Sequence, residues 1–142
     1  MSTAIRRGVY GKLAGDTTLN ALLGAPPTGY SKSIFYQQAP SNAAYPFVVF
    51  AKQAGIPAEA FTDASAYETD TWLVKAVDRA DSADVAESVS ARCAVLLNDA
   101  SLTISGASLL YLRRQSDLDY SELDEGVRFV HVGSLYRLIT TD

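Results

Sequence analysis

Five carboxylates, Asp117, Asp119, Glu122, Asp124 and Glu125, crowd into "DLDYSELDEG". Such a cluster could serve acid/base catalysis, hold a metal, or simply solvate a turn. Acid/base work needs a pocket that raises one carboxyl's pKa, and a hairpin tip is too wet to provide it. An EF-hand loop places its glycine early and a distant glutamate late, whereas Gly126 closes this stretch and no helix flanks it. Metal binding is therefore not expected. Two readings stay open: the solvated end of a hairpin, or an acidic patch facing a partner or a lumen. His131 is the only histidine, so a Ser-His-Asp site would have to use it, yet no G-x-S-x-G elbow exists and "SGAS" at 105–108 lacks the required glycines. It reads as a strand histidine. Cys93 lies on an apolar helical stripe, where a buried thiol has no partner to lower its pKa. Gly8 and Gly11 follow no strand and form no phosphate loop. No catalytic, cofactor-binding or metal-binding residue is assigned, and no cofactor is expected.

Composition narrows the function classes in the same direction. Twelve Lys and Arg against sixteen Asp and Glu leave a net charge of −4, a poor footprint for gripping nucleic acid through its phosphates. The Arg pairs at 6–7 and 113–114 lack the aromatic interleaving of a single-strand groove and read as surface charge. A lone cysteine excludes an internal disulfide. No apolar run approaches 18 residues and no signal peptide is visible, so a soluble protein made in the cytoplasm is expected, with no membrane partner. At 142 residues, a single domain spanning 1–142 can bury its own core.

The elements that must position these residues follow from periodicity. Ile5, Val9 and Leu13 make one stripe of a helix that Gly15–Asp16 interrupts. Asp16 can cap "TTLNALL", and Gly24 stands where a left-handed closing residue is wanted before Pro26 and Pro27. "SIFYQQAP" and "YPFVVFAKQAG" read as strands, "GIPAEAFTDASA" as a loop over 55–66. "YETDTWLVKAVDR" alternates, with Trp72, Val74 and Ala76 on one face and Thr71, Leu73, Lys75 and Val77 on the other. A helix over "DSADVAESVSARCAVLLND" is expected with Asp81 as N-cap, burying Val85, Val89, Cys93, Leu96 and Leu97. Two long strands then bracket the acidic stretch, with Gly133 marking a bulge that re-aims Leu135 to Ile139. The expected fold is α+β: a mostly antiparallel sheet, two main helices packed on one face, and long strands or arms projecting to neighbouring subunits.

Those elements together resemble the tail completion or tail terminator proteins of long-tailed phages and related gene-transfer particles. The resemblance rests on "DTTLNALLG", "IFYQQAPSNAAYPFVVF", "YETDTWLVKAVDRADSADVAESVSARCAVLLN" and "GVRFVHVGSLYRLI", in that order, over nearly the whole chain. It implies a structural protein and no enzyme. It further implies that six subunits, commonly, would form a ring on the last tail-tube ring, stop tube growth and meet the head connector or stopper protein, at the head-proximal end of the virion tail. DNA would pass through such a ring without sequence-specific binding, and an overall negative protein suits that passage. A neck adaptor or stopper is the alternative within the same assembly, and a small α+β enzyme or ligand-binding module the alternative of another class. Candidate interface residues are Ile56, Pro57, Ala58, Glu59, Phe61, Thr62, Lys75, Arg79 and Arg128. The five carboxylates of the acidic stretch are the candidate lumen or partner patch.

Overall fold

A computed structural model describes residues 2–58 and 67–141. Glu59, Phe61 and Thr62, three of the expected interface residues, lie outside those segments. The elements run α1 (Ser2–Ala14), α2 (Thr17–Leu22), β1 (Ile34–Tyr36), β2 (Phe47–Ala58), β3 (Tyr67–Arg79), α3 (Asp84–Leu97), β4 (Ser108–Asp124) and β5 (Val127–Thr141). The five strands form one sheet in the order β1-β2-β3-β5-β4. Only β1 and β2 pair in parallel, and every other pairing is antiparallel. The expected α+β class with a mostly antiparallel sheet is what the chain adopts.

Alternation along the strands decides which face holds the core. Val48, Phe50, Trp72, Val74, Ala76, Val130, Val132, Tyr136 and Leu138 join Ile5, Val9, Leu13 and Leu19 from the first two helices and Ala86, Val89, Cys93 and Leu97 from α3 in one buried cluster. Burial of this set is the main force holding helices to sheet, at about 25 cal/mol per Å² of apolar surface. On the opposite face, Phe35, Phe47, Val49 and Val77 make a smaller cluster under Ala39 and Ala43. The Trp72 and Val77 parities expected from "TDTWLVKAV" are both realised.

Helix ends follow local chemistry. Asp16 caps α2, its Oδ2 accepting from Leu19 N at 2.7 Å. Gly24 is not left-handed. Instead α2 ends on an extended Leu23, and a Cβ on Gly24 would sit 2.8 Å from the Ala44 carbonyl oxygen, so glycine is there for close approach. Asp81 does not cap α3, which starts three residues later with Ala83 at its N-cap, while Ser82 Oγ accepts from Asp84 N at 3.2 Å. The shift in start goes with a rotated face. Ala86, Val89, Cys93 and Leu97 are buried, Leu96 is half-buried, and Val85 is 46% exposed. At 100° per residue, Val85 points roughly 80° away from the centre of that buried stripe.

Two strand expectations are also corrected. Residues 55–58 are not loop, because β2 continues through Ala58, pairing Gly55 with Asp70 and Ala58 with Tyr67. The strand carries Pro57 there, and proline is tolerated on an edge strand. Gly133 is not a bulge, since β3 and β5 pair without a shift from Glu68 to Arg79. A Cβ on Gly133 would lie 2.6 Å from Lys75 Cα, so the residue keeps two strands unusually close. The register shifts fall on β2 at Lys52/Ala54 and on β4 at Leu109/Tyr111 and Arg114/Ser116.

Candidate functional site

The residues that could have done chemistry do not converge. Cys93 is 2% exposed, and burial pushes its thiol up to about 12, far from a nucleophile's range. His131 lies on the sheet face away from the helices, with Nε2 2.8 Å from Glu122 Oε1. The Tyr120 ring stacks on it at 4.4 Å and 6°, and Lys75 Nζ donates to Tyr120 OH at 2.9 Å. Burial lowers the His131 pKa first, the Lys75 charge adds to that, and Glu122 opposes both. Glu122 and Tyr120 hold the ring, and Nδ1 has no partner among the described residues.

The acidic stretch is divided by the pleat. Asp117 and Asp119 stand opposite Ser134 and Val132, on the helix side, while Glu122 and Asp124 stand opposite Phe129 and Val127 on the other. Ser134 Oγ donates to Asp117 Oδ1 at 3.0 Å, and Arg114 lies 3.7 Å away. Glu125 and Gly126 form the two-residue turn, both with positive φ (50° and 81°), the backbone of a type I′ hairpin. Among the described residues no group of three His, Cys, Asp or Glu is placed to hold a metal ion.

Sequence reasoning missed two polar features. Asp70 is fully buried at core parity with Trp72, and its pKa is raised by burial first and by neighbouring Glu68 second. Lys52 Nζ stands 3.3 Å from Glu68 and 3.5 Å from Asp70. The signal was legible, because an aspartate two residues before Trp72 in an alternating strand must face the same way. The second is a fork joining helices 76 residues apart: Arg92 Nε and Nη2 donate to Asp16 Oδ2 and Oδ1 at 2.9 and 2.8 Å. No sequence signal marked that pair.

Of the expected interface residues, Ile56, Pro57 and Ala58 lie at the end of β2 opposite Thr69, Glu68 and Tyr67. Arg79 is exposed at the end of β3. Lys75 is engaged by Tyr120, and Arg128 Nη1 donates to the Asp81 carbonyl at 2.6 Å.

What the sheet does leave open is its edges. At 17 residues, β4 reaches about 58 Å, roughly three times an ordinary strand. Its outer side meets no described strand, and Leu110, Tyr111, Tyr120 and Leu123 along it are 60%, 37%, 43% and 77% exposed. At the far side, β1 covers β2 only from Val48 to Phe50, leaving the remainder of β2 uncovered among the described residues. Long edges of this kind template contact with other chains unless something occupies or blunts them.

Among the described residues the sheet carries more strand than its core needs and leaves an open edge on each side. Residues 7–140 match the family model for tail completion protein gp17, and the chain belongs to that family of phage tail structural proteins. A search of curated proteins finds no match. Among solved structures, a chain of the virion of a native gene transfer agent particle is 18% identical, with a TM-score of 0.75 covering 99% of this chain and 97% of that one. A second, whose description states no function, is 16% identical, with a TM-score of 0.58 covering 98% and 95%. At these identities the likeness establishes the fold.

Proposed function

We propose that this chain is the tail terminator of its particle. Six copies close into a ring on the last ring of the tail tube, end its growth, and present the surface that meets the head connector or stopper. The role is mechanical and involves no catalysis, and DNA crosses the ring without being read. One observation carries the reading: membership of the tail completion family over residues 7–140. The sheet adds physical support, since heterologous contacts that close into a ring use two different surfaces of each copy, and the open edges of β2 and β4 supply two. Within that ring we assign contacts to Ile56, Pro57 and Ala58 on β2 and to Arg79 at the exposed end of β3. Lys75 and Arg128, whose bonds to Tyr120 and Asp81 lie inside the subunit, are assigned to the same contacts. Particles assembled without the chain test the reading by negative-stain microscopy. Tails of uncontrolled length, unattached to heads, are expected. Tails of normal length joined to heads would overturn it.

A further inference from the structure

Charge is distributed unevenly across the sheet. Residues 1–58, which build α1, α2, β1 and β2, hold five basic side chains (Arg6, Arg7, Lys12, Lys32, Lys52) against one acidic, Asp16. The opposite edge carries five carboxylates over 117–125, preceded on β4 by Arg113 and Arg114, of which Arg113 pairs with Asp99 and Arg114 lies 3.7 Å from Asp117. The register places the two sets at the same height. Ile34 pairs with Val48, Val48 with Ala76, Ala76 with Val132 and Val132 with Asp119. One row higher, Tyr36 follows through Phe50, Val74 and Ser134 to Asp117. Arg6 stands over the Tyr36 ring, 5.0 Å from its centroid, and Lys32 lies two residues before Ile34.

From this placement we infer that the acidic segment 116–124 of β4 docks against the Arg6/Lys32 edge of a second copy of the chain, head to tail. The inference rests on the ring reading above and names its contact surface. Rotation of one copy about an axis parallel to the strands brings Asp117 to the height of Tyr36, over which Arg6 stands, and Asp119 to the height of Ile34, two residues from Lys32. It also sets β4 antiparallel to the neighbour's β1. Side-chain charge carries this contact more than a backbone ladder does, because β1, the edge strand at this height, is only three residues long. Complementary charge of this kind fixes register and excludes wrong partners. The edges of one subunit are four strand spacings apart, about 19 Å, so a direct bond between them joins two copies.

Assembled particles treated with a zero-length carbodiimide read the contact whether or not tail length depends on this chain. The expected product couples Lys32 to the tryptic peptide 115–128, which holds the five carboxylates. Coupling of that peptide only to a different protein of the particle would overturn the inference, as would its absence from every lysine-bearing peptide of this chain beyond its own subunit's neighbours. A charge swap gives a second readout. Asp117→Lys with Asp119→Lys should reduce joined particles about tenfold or more, as should Arg6→Glu with Lys32→Glu, while one chain carrying all four recovers them. Recovery also shows that the substituted chains fold. If both double variants assemble as the parent does while particles lacking the chain do not, the edge contact is refuted and the terminator reading stands.

Discussion

Replacing Asp16 with alanine should cost about 2 kcal/mol at neutral pH. The carboxylate does two things at once: it caps α2 through Leu19 N at 2.7 Å and receives both forks of Arg92 from α3 at 2.8 and 2.9 Å. A cap of this type is worth about 0.5–2 kcal/mol, and a hydrogen bond to a charged group about 1.5–3. The side chains of Arg92 and Asp16 are 31% and 15% exposed, so solvent screening holds the sum near the lower ends. The pKa gives a consistent size, because the Arg92 hydrogen bonds, with the Leu19 amide and the nearby charges, lower Asp16 from 3.8 to about 2 despite partial burial. That difference corresponds to about 2 kcal/mol. A lowered carboxyl stabilises above its unfolded value and loses that contribution as pH falls through the folded one, so the penalty should fade between about pH 4 and pH 2. Urea unfolding followed by the fluorescence of Trp72, the only tryptophan and 1% exposed, measures it. Asp16→Asn retains a capping oxygen and should cost less, isolating the tie to Arg92. A loss under about 0.5 kcal/mol for Asp16→Ala, or one that persists unchanged at pH 2, would refute the reasoning.

Leu97→Ala should destabilise by about 2–5 kcal/mol because the side chain is 1% exposed in the main core, whereas half-buried Leu96→Ala should cost clearly less, and a reversed order in the same assay would contradict the helix face. Gly133→Ala forces β3 and β5 apart at Lys75 and should cost about 1–3 kcal/mol, and an unchanged urea midpoint would contradict the close approach. His131, the only histidine, gives an isolated NMR titration. Its midpoint should fall below 6.5 because burial and Lys75 outweigh Glu122, so its contribution is present above 6.5 and lost as pH falls through the folded value, and a midpoint near or above 7 would contradict this.

Much of the fold could be read from residue spacing. The Trp72 and Val74 parity, the Ile5–Val9–Leu13 stripe and the hairpin ending in Glu125–Gly126 are local patterns, set by periods of 2 and 3.6 and by a two-residue turn. The failures are of a different kind. Val85 and Ala86 differ by a third of a helical turn, and apolarity favoured valine where the sheet selected the smaller residue. Residues 55–58 read as loop because small residues show no period, and a sequence does not say whether a strand will lie at an edge. The Arg92–Asp16 fork and the height match of Tyr36 with Asp117 depend on tertiary register, which no local period encodes. Contacts of the expected interface residues inside the subunit depend on register in the same way: Lys75 Nζ donates to Tyr120 OH and Arg128 Nη1 to the Asp81 carbonyl, pairs that no spacing in the sequence announces.

The account stands or falls on where the chain sits in its particle. A cryo-EM map should show a closed six-fold ring of this chain between the last tube ring and the neck, with β4 of each copy beside the α1 and β2 edge of the next. A map placing the chain elsewhere in the particle, or as isolated copies that do not close, would contradict the account.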